Sequence, residues 1–353
     1  MSRPQRWRCR CFGAGSCILV VPRAPSDGAN RTHAGSNRRL DLVNWKLKAV
    51  FGQILSAVPG GERAHAWVQR RITKSLPLPQ ADFDFRVNIA VQHLIAIHRH
   101  TSGAPLQEMR FFEFGAGWEL AMPLIFWRAG VRQQVLFDLH RLVRPELVRD
   151  AAKRLSEHPL LKNIPAEIAS GMRPLDSITI GDSSKSLQEI LESVGIRYHA
   201  PADAAATALD PGHVHVVTSS LVLEHVPPES IAAIYKEMYR ILASGGIMSH
   251  SIDMSDHYSH SDPNVTPWNF LTISERAWPR SNPPFLYQNR LRASEHLRLM
   301  TEAGFQVLEV TPHIGGSLEA YSAIEERLQP PFDRWHDPAD LQVTHLHAVA
   351  RKP

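Results

Sequence analysis

The stretch from Met109 to Leu120 constrains the fold most. Phe111, Phe112 and Phe114 make a short apolar run that suits a buried strand, broken only by the acid Glu113. Gly115 and Gly117 follow at once. Two glycines so close together let the backbone turn sharply, and they let a ligand approach it with no Cβ in the way. Loops that cradle phosphates usually avoid an acid at the preceding position. A carboxylate there suits a ligand that carries a positive amino group.

From Arg110 onward the chain alternates strand-like and helix-like segments, the signature of an α/β fold with a doubly wound parallel sheet. Strands are expected at 110–115, 133–138, 196–200, 213–219, 246–252, 305–311 and 342–350, the last two as a hairpin-like pair. Helices are expected at 118–129, 145–157, 185–194, 229–243 and 293–303. The clearest follows Pro227-Pro228, with Ile231, Ile234, Tyr235, Met238, Ile241 and Leu242 on one face and Gly245-Gly246 as its stop. Upstream, helical spacing appears between Leu40 and Thr73, and again from Val87 to His98. These helices are expected either to cap the ligand cleft or to pack on the sheet. The chain thus divides into a basic tail (1–40), an N-terminal helical cap region (41–108) and a seven-stranded α/β domain (109–353).

Composition narrows the partners. The formal net charge is +4, but residues 1–40 hold eight arginines against the single acid Asp27. The remaining 313 residues carry 31 basic and 34 acidic side chains, so nucleic acid is not demanded. The three cysteines, Cys9, Cys11 and Cys17, all lie in the tail, which excludes a disulfide-stapled secreted fold and fits a reducing cytoplasm. With His33 they match no standard zinc spacing. The tail is poor in large apolar groups and is expected to have no fold.

Two later segments carry chemistry. Asp138 ends the second strand, 23 residues past Gly115. An acid at that strand tip can take both ribose hydroxyls of a nucleoside, or it can simply cap a turn. The fifth strand runs out into Asp253, Asp256, His257 and His260, on the side where open α/β sheets bind ligands. His257 or Asp256, with Asp253, would serve as general base for a hydroxyl. A metal reading would use Asp253, Asp256, His257 and His260, and a plain reading makes this a capped polar loop. The base reading is preferred, with no metal assigned. Beyond it, Trp268 to Leu271 and Pro284 to Arg292 combine aromatic, amide and guanidinium groups. These suit stacking on a sugar or nucleobase, or else they pin the insertion to the core.

The Glu113-x-Gly115-x-Gly117 stretch resembles the first motif of class I S-adenosylmethionine-dependent methyltransferases. The string from Ser220 through Leu223, Glu224 and His225 to Val226 resembles the fourth motif of that family. The resemblance covers roughly residues 109–352. It implies a Rossmann-like methyltransferase sheet, S-adenosyl-L-methionine as cofactor, and Glu113, Gly115, Gly117, Asp138, Asp203 and Ser219 as its binding residues. Asp203, after the third strand, would take the adenine amino group. Glu119 departs from the pattern, standing where a third glycine is frequent. The loop at 253–260 followed by Trp268-Asn269-Phe270 looks like bacterial methyltransferases associated with cell-surface polysaccharide or glycolipid synthesis. The expected reaction is O-methylation of a small molecule, glycan or glycolipid, without nucleic acid or a membrane span. A non-catalytic cofactor-binding scaffold is one alternative. A nicotinamide-dependent dehydrogenase is another, although Leu120 stands where its third glycine belongs.

Overall fold

The computed structural model describes residues 76–175 and 184–353. The expectations for the basic tail and for the helices between Leu40 and Thr73 lie outside the described residues. Seven strands form one sheet in the order β3-β2-β1-β4-β5-β7-β6. They are β1 Arg110–Phe114, β2 Gln133–Phe137, β3 Ile196–His199, β4 Val214–Ser220, β5 Leu242–Asp253, β6 Gln306–His313 and β7 His345–Arg351. The first five are parallel, whereas β7 runs antiparallel between β5 and β6. The sheet order reverses between β1 and β4, and crevices for ligands open at such switch points.

Alternation along β1 sends Phe111 to one face and Phe112 and Phe114 to the other, and each joins a separate apolar core. The main helices are α1 Gln80–His100, α2 Ala121–Arg128, α3 Pro145–Leu155, α4 Leu187–Ser193, α5 Pro228–Ile241, α6 Ala293–Glu302 and α7 Leu318–Glu325. Helix α1 is longer than the sequence periodicity suggests. Phe83, Val87, Ala90, Leu94 and Ile97 on its inner face join the core that also holds Phe111, Leu124 and Ile125. His93 fastens it to the sheet, bonding Ser249 Oγ at 2.7 Å and Ser220 Oγ at 2.8 Å. Helix α1 is therefore a packed layer of the domain, and its first two turns border the ligand end of the sheet.

Helix α5 starts with Pro228 in its first turn and buries Ile231, Ile234, Tyr235, Met238 and Ile241 as expected. It ends at Ile241, earlier than the glycine pair suggests. Leu242 is already extended and pairs with Val214. Gly245 and Gly246 instead serve a register irregularity between β4 and β5, where a Cβ on Gly246 would lie 2.8 Å from the Ala243 carbonyl. A third apolar cluster, including Trp268, Phe270, Tyr321 and Phe332, holds the insertion after β5. Trp268 is fully buried, and its indole N–H donates to the Gln342 carbonyl at 3.1 Å. Trp268 and Phe270 therefore pin the insertion to the body, the second of the two roles the sequence allowed. Among the described residues no helix is long and apolar enough to cross a membrane.

Candidate active site

At the carboxyl end of β1, Glu113 is buried and its Oε2 has no hydrogen-bond partner among the described residues. Burial pushes this carboxyl up to about 8, with the Arg86 guanidinium opposing the shift. Gly115 and Gly117 both take left-handed backbone angles, φ +74° and +71°. The Gly115 amide donates to the Phe137 carbonyl at 2.8 Å. The Gly117 amide donates to Asp138 Oδ2 at 3.1 Å, while Asp138 Oδ1 accepts from the His140 amide at 3.0 Å. A Cβ on Gly115 would lie 2.2 Å from Val222 Cγ2, so the turn after β4 packs directly on the turn after β1. Leu120 and Leu221 also adopt positive φ, 56° and 57°. Left-handed backbone in a bulky residue costs about 1–3 kcal/mol and concentrates at functional sites.

These turns border a narrow cleft lined by Arg86, Glu113, Gly115, Glu119, Ser220 and Leu221, among others. A larger hollow opens at the opposite, amino end of β1–β3, around Arg110, Arg132 and Gly195. Ligands of open α/β sheets sit beyond the carboxyl ends of the strands, so the smaller cleft is the relevant one. Arg86 reaches it from α1, with its Nε 3.6 Å from Glu119 Oε1. Burial raises the Glu119 carboxyl, and Arg86 opposes that shift too. The acid at the frequent third-glycine position thus has its own counter-ion.

Asp138 sits at the tip of β2, mostly buried, and burial raises its carboxyl. Asp203 lies exposed in the loop after β3, where its Oδ1 accepts from the Ala205 amide at 2.8 Å. Ser219 is fully buried and bonds His250 Nδ1 at 2.8 Å, whereas Ser220 lines the cleft. Neighbouring strand residues face opposite sides of a sheet, so one position along β4 changes which serine a ligand can meet.

A second group of polar side chains forms where β4 and β5 run out. Glu224 and His225 lie in the turn after β4, and Asp253 and His257 at the end of β5. Asp253 Oδ2 is 3.7 Å from His257 Nε2 and 3.4 Å from His260 Nε2. The rings of His225 and His257 meet edge to face at 4.9 Å. Burial pushes His257 down to about 4, with Asp253 opposing. Asp256 is nearly inaccessible and already engaged: it accepts from the Tyr258 amide at 2.9 Å and from Asn269 Nδ2 at 3.1 Å. Two consecutive amides staple the halves of this group together. Gln288 accepts from the His257 amide at 3.0 Å and donates to the Ser255 carbonyl at 3.0 Å. Asn289 Nδ2 donates to the Leu223 and Val226 carbonyls at 2.7 and 2.9 Å.

Residues 171–249 match the family model described as a methyltransferase domain. That segment runs from before β3 to the middle of β5 and includes the Leu223-Glu224-His225 turn. Over that segment the chain is similar to methyltransferases. No curated protein sequence matches it. Solved structures similar to it include an S-adenosylmethionine dependent methyltransferase from Mesorhizobium loti, 14% identical, with 69% of this chain and 90% of that one covered at a TM-score of 0.35. Another is the geranyl diphosphate C-methyltransferase of Streptomyces coelicolor, 11% identical, with 69% and 71% covered at a TM-score of 0.37. S-adenosyl-L-methionine is the cofactor this similarity supports, and the free Glu113 oxygen beneath two left-handed glycines would suit its ammonium end.

The sequence assigns Arg86 no role, places Glu224 and His225 only within the fourth-motif string, and places Gln288 and Asn289 only within the 284–292 stretch, with no individual role for any of them. Arg86 left a signal: it lies three and seven residues before Ile89 and His93, on the stripe of α1 that faces the sheet. A cation on an otherwise buried helical stripe asks for a carboxylate partner. Gln288 and Asn289 left no such signal, because their partners are backbone groups far away in the chain.

Proposed function

We propose that this methyltransferase places a methyl group on an oxygen atom of a small-molecule, glycan or glycolipid acceptor. The observation that carries the reading is the free, buried Glu113 oxygen in a cleft at the carboxyl ends of β1 and β4, with the Asp253–His257–His260 group at the end of the neighbouring strand β5. In this reading Glu113 accepts from the cofactor's ammonium, and Gly115 and Gly117 leave room for it against the backbone. Arg86 offers its guanidinium to the cofactor's carboxylate. Asp138 keeps a lone pair on each oxygen after accepting from Gly117 and His140, enough for two ribose hydroxyls. Asp203 takes the adenine amino group, and Ser220 has the cleft-facing place that the sequence gave to Ser219. Bound S-adenosyl-L-methionine supplies an electrophilic methyl group on a sulfonium.

A hydroxyl that accepts a methyl must lose its proton, and the Asp253–His257–His260 group receives it. Asp256 holds the loop that carries these residues. Most of the acceleration comes from holding acceptor and methyl in line within a dry cleft, worth up to about 7–11 kcal/mol when the geometry is good. The test is transfer of tritiated methyl into a cell-envelope extract. Label in an alkali-stable ether of a saccharide or lipid-linked saccharide is the expected result. Label confined to amines, protein or nucleic acid would overturn the acceptor assignment.

A further inference from the structure

The strongest feature that the methyl-transfer reading leaves unexplained is the trio Glu224, His225 and His257. One donor atom from each lies within 4.8 Å of the other two. We propose that these three side chains bind a divalent transition-metal ion at the acceptor end of the cleft. The occurrence of the site is independent of the reading above, and only its role rests on it.

Three observations support the assignment. Glu224 is buried and its Oε2 makes no hydrogen bond among the described residues; His257 Nε2 makes none either. Buried donors and acceptors are normally satisfied, and two orphans within one cluster of ligand-type side chains want a shared partner. The Nδ1 of His225 lies 2.9 Å from the Tyr287 carbonyl, which can only accept. Nδ1 therefore carries the proton and Nε2 keeps its lone pair, the arrangement that orients histidine ligands in metal sites. Finally, Asp253 Oδ2 lies 3.7 Å from His257 Nε2, so a second carboxyl group stands beside the trio.

Two imidazoles with one carboxylate suit zinc, iron(II), manganese or cobalt, while magnesium and calcium prefer oxygen ligands alone. Metal–ligand bonds of about 2.0–2.2 Å require the three donor atoms to draw closer together. The loop at 257–260 and the turn at 223–225 would supply that movement. Three ligands leave a coordination position open, and a cation there acidifies an acceptor hydroxyl. The balance is then simple. The acceptor O–H bond breaks and its proton goes to Asp253 or His260. The oxygen forms a bond to the methyl carbon as the sulfur–carbon bond breaks, and neutral S-adenosylhomocysteine leaves.

The test uses the full chain, stripped with EDTA and carrying Cys9→Ser, Cys11→Ser and Cys17→Ser to silence the tail thiols. Titration with cobalt(II) and zinc(II) is followed by calorimetry and by visible absorption. One equivalent should bind with micromolar or tighter affinity, and cobalt should show ligand-field bands. Glu224→Gln, His257→Ala and the exposed His225→Ala should each weaken binding at least tenfold. S-adenosylhomocysteine affinity, measured on the same samples, should stay within twofold and so reports both folding and the cofactor reading separately. No stoichiometric metal binding, or binding that all three variants retain, would overturn the site.

Discussion

The backbone amide of Gly117 donates to the Asp138 carboxylate at 3.1 Å, tying the turn after β1 to the tip of β2. Asp138 thus holds the glycine turn in shape as well as offering oxygens to a ribose. Asp138→Ala should weaken S-adenosylhomocysteine binding tenfold or more, on the scale of about 1.4 kcal/mol per lost charge-assisted hydrogen bond. Asp138→Asn, which keeps one acceptor oxygen, should lose less. Calorimetric titration of both variants checks the order, and equal losses would remove the two-oxygen assignment.

Gly115 faces Val222 across the space a Cβ would fill. Gly115→Ala should destabilise the fold by about 1–3 kcal/mol, from left-handed strain and the clash together. Adding Val222→Ala should recover the clash part and leave the strain. Urea unfolding of the single and double variants measures both, and no recovery would show that Val222 is not the obstacle.

Glu113 should be largely protonated at pH 7 in the free protein, since burial raises it to about 8. Cofactor binding should then release close to one proton as the carboxylate meets the ammonium. Calorimetry in phosphate and in Tris would show this as a buffer-dependent enthalpy. Glu113→Gln should abolish the difference and weaken affinity.

The buried histidines and Glu113 set opposite limits on pH stability. Burial depresses His93, His250, His296 and His347, the middle two to about 3 and the last to about 4. A depressed folded-state value means the unfolded chain binds more protons, so stability falls as pH drops below about 6.5. Glu113 has a raised value, so its contribution is full below about 4.5 and is lost as pH climbs toward 8. Melting temperature in the absence of cofactor should peak near pH 6–7, falling on the acid side as the buried histidines must charge and on the alkaline side as Glu113 and the likewise raised Glu224 and Glu119 must ionise. A profile that keeps rising toward acid would contradict the neutral state of these histidines.

Gln288 joins the His257 amide to the Ser255 carbonyl. Gln288→Ala should loosen the loop at 255–257, lowering turnover at least fivefold while cofactor affinity stays within twofold. Each orphaned buried backbone group should cost about 1–3 kcal/mol of stability. An unchanged turnover number would confine Gln288 to a structural role.

The sequence by itself determined the order of elements, because apolar alternation, helical spacing and glycine placement are local signals. It also marked Glu113, Gly115, Gly117 and Asp138, since strand tips beside a glycine turn can be read from spacing. Tertiary structure alone decided which serine of the Ser219-Ser220 pair meets the cleft, since strand twist and register settle which face each side chain takes. It brought Arg86 to Glu119 and Glu224 to His257, pairs that lie 33 residues apart in the chain. It also gave the insertion aromatics Trp268 and Phe270 to the core rather than to a ligand. Contacts of this kind form only when the whole sheet closes, because no local preference favours them before the distant partner arrives.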